Sequence, residues 1–189
     1  MARTRKRPKK PEEQHSYVGI RLGRYEARVG AGVNRHVYAP QYAWDLDDDD
    51  PLYEFTSQVT IMGISTYPPD REGDAYELTI YGTESRSHRL NATLKDVHAR
   101  DAHGVPQYRQ YRGRQIPVYV PPCGFGLVDK VRGEKRWTAW LFVTPRFVND
   151  LLVLLGHQQN LFVSLHERKI DRSGWVQSMT LQTTDPAEE

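Results

Sequence analysis

The chain has 189 residues, of which 38% are hydrophobic and 26% charged, a composition that predicts a single soluble domain. Its lone cysteine, Cys123, excludes an internal disulfide, and no apolar run approaches the ~20 residues needed to span a bilayer, so the expectation is no membrane partner. The formal charge of +2 hides an asymmetry: residues 1–10 hold six bases and no acid, leaving 20 bases against 24 acids in the remainder.

Those six bases are Arg3, Arg5, Lys6, Arg7, Lys9 and Lys10. With two prolines and almost no apolar side chain nearby, residues 1–15 are predicted to form a disordered basic tail. The basic start runs into Pro11, Glu12 and Glu13 instead of an apolar stretch, so no secretory signal is predicted. The expected location is cytoplasmic, or nuclear in a eukaryotic host, where Arg5–Lys10 would serve as a targeting patch.

A single β-rich domain is expected over 16–184, with a frayed acidic end over 185–189. Val18, Ile20 and Leu22 alternate with Gly19 and Arg21 as in a strand, and Gly30-Ala31-Gly32 reads as a turn. Asp45-Leu46-Asp47-Asp48-Asp49-Asp50 is an acidic loop without the glycine and glutamate of a calcium-binding hand. Tyr53, Phe55, Val59 and Ile61 share one parity, predicting a half-buried strand that forms a hairpin with Tyr76, Leu78 and Ile80 across the Pro68-Pro69 loop. Leu90, Ala92 and Leu94 predict another strand, residues 101–115 a long polar loop, and Ile116, Val118 and Val120 a strand ended by Pro121-Pro122.

Leu127–Val131 and Trp137–Val143 flank a turn sequence and predict a hairpin, the second strand reading as covered on both faces. One helix is predicted over 144–156, with Thr144 as cap, Pro145 at its first position and Gly156 just past its end. Leu161–His166 and Trp175–Gln182 are the last strands. The predicted fold is mainly β, an antiparallel sandwich or flattened barrel of about 8–10 strands with one packed helix. An α+β layer is the alternative, since strand, helix and strand follow closely over Trp137–His166.

Four features bear on function. The tail attracts polyanions, and Tyr108, Arg109, Tyr111, Arg112 and Arg114 interleave rings with guanidiniums, a pattern suited to unpaired bases and phosphates. Asp96, His98, Asp101 and His103 form two Asp-x-His pairs whose residue types suit zinc or iron, although convergence requires a turn between the pairs. Cys123 between prolines and glycines reads as a buried, inert thiol, and Trp137, Trp140 and Trp175 as core. Neither glycine-rich stretch completes a dinucleotide or phosphate loop, and no catalytic motif occurs, so the expected cofactor is none unless the Asp/His loop holds a metal. The leading expectation is a non-catalytic binding or adaptor module that uses a basic arm on nucleic acid or an acidic protein surface. A metal-dependent enzyme built on residues 96–103, or a carbohydrate- or peptide-binding sandwich, are the alternatives.

Overall fold

The computed structural model describes residues 13–33, 53–83, 90, 92–157, 160–170 and 173–188. The six bases of the tail and the acidic loop lie outside these residues.

Alternation of apolar and polar residues lets a strand bury one face, and seven strands here close that face upon itself. They are β1 (Glu13–Val33), β2 (Tyr53–Tyr67), β3 (Ala75–Gly82), β6 (Gly126–Lys130), β7 (Arg136–Val143), β8 (Phe162–Ile170) and β9 (Ser173–Gln182). Their order around the barrel is β1-β2-β3-β7-β6-β9-β8, closed by β1 pairing with β8. A separate hairpin, β4 (Tyr108–Tyr111) with β5 (Arg114–Pro117), interrupts the path from β3 to β6. Helix α1 (Pro145–His157) follows β7.

The described residues are therefore mainly β with one α-helix, and their main sheet closes into a barrel. Pairing in the barrel is antiparallel except at one place: β3 and β7 run parallel, from Ala75↔Arg136 to Gly82↔Val143. The hairpin β6–β7 forms as expected, with Val128 opposite Ala139. Strands β7 and β8, on either side of α1, run in opposite directions, since β7–β6, β6–β9 and β9–β8 are each antiparallel, so they form no parallel crossover unit.

The barrel interior is apolar. Val18 and Ile20 from β1, Val59 and Ile61 from β2, Leu78 and Ile80 from β3, Leu141 from β7, Val163 and Leu165 from β8 and Val176 from β9 are all buried. On α1, Val148, Leu151 and Leu155 recur at helical spacing and join this core. A Cβ at Gly82 would lie 3.1 Å from Val148 Cγ2 and 3.2 Å from Pro145 Cα, so glycine there lets the helix approach the end of β3.

Several local expectations are corrected. Gly30-Ala31-Gly32 is not a turn: it continues β1, because Thr56, Phe55 and Glu54 of β2 supply its pairing partners. Leu90, Ala92 and Leu94 form no strand; Leu94 is exposed within a turn. Strand β7 is not fully covered on both faces: Trp140 keeps 40% exposure on the outer wall. Gly156 lies inside α1, which runs to His157. The span 185–189, expected to fray, includes a short 3-10 turn at Pro186–Glu188, where Asp185 Oδ1 accepts hydrogen bonds from Thr66 Oγ1 and Ala187 N, each at 3.0 Å. Strand β1 starts at Glu13, inside the span assigned to the tail, and pairs there with Ile170. Among the described residues, no helix is long and apolar enough to cross a membrane.

Candidate functional site

The segment 101–115, expected as a loop, holds the β4–β5 hairpin, with Arg109 opposite Ile116 and Tyr111 opposite Arg114. Its turn residues Arg112 and Gly113 have φ of 48° and 77°. Two successive left-handed residues match the twist of flanking strands, and Gly113 adopts this conformation freely. Arg112 does not, and it is the one non-glycine residue with positive φ among the described residues.

Period-2 geometry sorts the side chains. Arg109, Tyr111 and Arg114 share one face of the hairpin, and the Arg112 guanidinium lies 5.3 Å from the centroid of the Tyr111 ring. Tyr108 lies on the opposite face, edge-on to His98 with ring centroids 5.1 Å apart, while His98 also meets Tyr119 at 5.6 Å. Tyr108 and Tyr111 are 56% and 53% exposed, and all three arginines are exposed. The 27 residues between Asp101 and Asp129 contain no acid, so no carboxylate in this stretch neutralises them.

The base of the hairpin is held by backbone hydrogen bonds: Ala99 N to Val118 O at 2.8 Å, Gln107 N to Ala99 O at 2.8 Å and Val118 N to Gln107 O at 3.0 Å. Here the Asp/His pairs find their use. Asp96 Oδ2 accepts from Thr93 N at 2.6 Å and Thr93 Oγ1 at 2.9 Å, and these two bonds hold its carboxyl below the ordinary carboxylate value. Asp101 Oδ1 accepts from His103 N at 2.8 Å and Val105 N at 2.9 Å, while a ring nitrogen of His98 lies 3.0 Å from Gln107 O. Both carboxylates accept hydrogen bonds within their own turns. Among the described residues, no three His, Cys, Asp or Glu side chains are arranged to hold a metal ion, so the proposed ligand set Asp96, His98, Asp101 and His103 is not brought together. Cys123 is exposed, correcting its expected burial: the Pro121–Cys123 strap lies over Arg168 and Gln177, which donate to the carbonyls of Pro121, Pro122 and Cys123.

A second polar cluster closes the barrel end opposite α1, and sequence reading missed it. Glu167 follows Val163 and Leu165 on the inward parity of β8 and is only 4% exposed. Its Oε2 accepts from Arg71 Nη1 at 2.7 Å and Ser16 Oγ at 3.1 Å, whereas Oε1 has no partner among the described residues. Arg71 also donates to Tyr76 Oη at 3.1 Å and lies 4.1 Å over the Trp137 ring. Trp137 Nε1 in turn donates to the buried Asp74 at 2.9 Å. Burial pushes the Tyr76 phenol well above its usual value of 10.0, and the Glu167 charge adds to this, against the opposing effect of Arg71. For Arg71, burial works to lower the pKa, but the hydrogen bond and charge of Glu167 prevail and raise it. A charged residue on an apolar parity was the available signal, yet the expected strand ended at His166 and left Glu167 out.

The expected core position of Trp137 holds in part, since it is half-buried against Tyr76 with centroids 5.9 Å apart. Comparison with family models, with curated proteins and with solved structures returns no match.

Proposed function

We propose that the protein is a non-catalytic binding module that engages single-stranded nucleic acid through the β4–β5 hairpin, assisted by the basic tail. The observation that carries this reading is an exposed hairpin face presenting Tyr111 with Arg109, Arg112 and Arg114 in a stretch without acids. Guanidiniums can neutralise phosphates while a ring offers a stacking platform to a base, a combination that tolerates any sequence. The left-handed Arg112 supports it further. Holding a non-glycine residue there costs on the order of 1 kcal/mol, and such strain concentrates at functional positions.

Binding of fluorescently labelled oligodeoxythymidine and oligouridine across a salt series tests the reading. Replacing Arg109, Arg112 and Arg114 with Ala removes three phosphate contacts and should reduce the slope of log K against log salt by about 2. Tyr111→Ala should weaken binding by roughly tenfold without altering that slope. Deleting residues 1–12 should reduce the slope independently. Binding unchanged in the arginine and tyrosine variants would reject the hairpin as the interface, and binding of an acidic protein but of no oligonucleotide would reject the partner class.

A further inference from the structure

Strand β1 runs on past its pairing with β8, joined to β2 on one edge only, and at its far end Gly30–Val33 pairs with Tyr53–Thr56 of β2, a stretch of β2 that no longer pairs with β3. Pairing of β1 with β8 ends at Arg21↔Phe162, with one more bond from Leu22 N to Leu161 O. From Arg24 to Val33, β1 pairs with β2 alone, and among the described residues no strand pairs with its other edge. An unpaired edge carries a row of backbone donors and acceptors that template another strand. Natural edges are blunted with proline or short length, yet Gly19–Val33 contains no proline and the free edge is about ten residues long.

The pair also bears an apolar face that is buried at the barrel and uncovered at its outer end. Tyr25, Ala27, Val29, Ala31 and Val33 stand opposite Ile61, Val59, Ser57, Phe55 and Tyr53, on the face that lines the interior where the barrel closes. Beyond the barrel this face is open: Val29 is 75%, Tyr53 62% and Phe55 77% exposed. Arg24, Glu26 and Arg28 lie on the other face.

We infer that a second copy of this chain occupies the free edge, forming a two-fold dimer through antiparallel β1–β1 pairing centred on Ala27. The charge pattern selects both the occupant and the register. In a two-fold antiparallel pair, directly opposed residues share a face, so the axis passes through a residue. With the axis at Ala27, Glu26 of each copy faces Arg28 of the other, and Tyr25 faces Val29, a favourable aromatic–β-branched pair. An axis at Glu26 opposes Arg24 to Arg28, and an axis at Arg28 opposes that residue to itself, both like-charge arrangements. An axis at Tyr25 sets Ala31 and Val33 against Gly19 and Tyr17, well inside the stretch already paired with β8, whereas the axis at Ala27 meets that stretch only at its last residue, Arg21, opposite Val33. An axis at Val29 places Glu26 and Arg28 opposite glycines and gains no charge pair. Pairing at Ala27 makes one sheet, β2-β1-β1-β2, in which the two apolar faces become continuous.

Sedimentation velocity on the full chain over a concentration series tests the inference. The unaltered protein should dimerise reversibly. Glu26→Arg turns both symmetry-related attractive pairs repulsive, as does Arg28→Glu, and each should weaken the dimer by roughly tenfold or more. The double exchange, Glu26→Arg with Arg28→Glu, should restore it. An equimolar mixture of the two single variants should form a heterodimer, because each then presents the charges the other lacks. Circular dichroism confirms that the variants fold. A monomer at all concentrations, including one whose edge is covered by residues 34–52, overturns the inference, as does a dimer indifferent to Arg28→Glu. Nucleic-acid binding by the hairpin is a separate readout and can fail without affecting this result.

Discussion

Arg71→Met removes the one cation hydrogen-bonded to Glu167 among the described residues, leaving Oε2 with Ser16 Oγ alone and Oε1 still without a partner. A buried carboxylate stripped of its counter-charge is costly because the low-polarity interior cannot replace the solvation it lost on folding. Full burial of both partners would put the loss at about 3–5 kcal/mol. The Arg71 side chain keeps 18% exposure while that of Glu167 keeps 6%, so water partly reaches the pair and the expected loss is about 3 kcal/mol. Methionine retains the apolar stem over Trp137, which isolates the charge from the packing. For a chain of this size the melting temperature should fall by about 6–12 °C. Arg71→Met combined with Glu167→Leu removes both charges and should recover most of that loss, since an apolar pair of similar volume no longer strands a buried ion. Urea unfolding of the unaltered protein, both single variants and the double variant yields the coupling energy, expected to exceed about 1.5 kcal/mol. Arg71→Met within about 0.5 kcal/mol of the unaltered protein, or strictly additive losses, would refute the reasoning.

Three further outcomes follow from the same geometry. Tyr76, whose pKa is raised by burial and by Glu167, favours the folded state as the neutral phenol. That contribution is fully present below about pH 10 and is lost as pH rises through the still higher folded pKa, so stability should hold to pH 10 and then fall, less steeply in Tyr76→Phe. Ultraviolet titration should show the exposed tyrosines ionising first. Gly126→Ala should lose about 1–3 kcal/mol, because its Cβ would stand 2.6 Å from Trp140 O and 2.8 Å from Leu141 Cδ2, whereas Gly156→Ala, in open space within α1, should gain about 1 kcal/mol; thermal melts compare the two. Arg112→Asn creates the Asn-Gly sequence favoured in this turn and should raise stability by about 0.5–1 kcal/mol while weakening oligonucleotide binding, a divergence read from melts and anisotropy together.

Local pattern went furthest where each strand carries its own signature. The parity of Val59 and Ile61 against Thr60, the Pro68-Pro69 loop and the following Tyr76, Leu78 and Ile80 specify an antiparallel hairpin before any partner is considered. Thr144 and Pro145 likewise mark the start of α1, where Phe147 N donates to Thr144 Oγ1 at 3.4 Å. Periodicity misled where the neighbour, not the residue, decides. Glycines 30 and 32 look like a turn, yet β2 pulls them into a ladder; Trp140 looks like core, yet it stands on the outer face of β7 and keeps 40% exposure.

By itself, then, the sequence determined that the described residues are mainly β with one α-helix, which residues face inward on most strands, and that positive charge gathers at the start and in Arg109–Arg114. Those properties are local, set by side-chain alternation, caps and composition. The tertiary structure alone decided that β1 bridges β2 and β8 to close a barrel, that β3 runs parallel to β7, and that Arg71 meets Glu167 across 95 intervening residues. It also decided that the carboxylates of Asp96 and Asp101 bind their own turns instead of converging. Pairings between distant segments are fixed by the cooperative burial of a shared interior, and no window of sequence contains that energy.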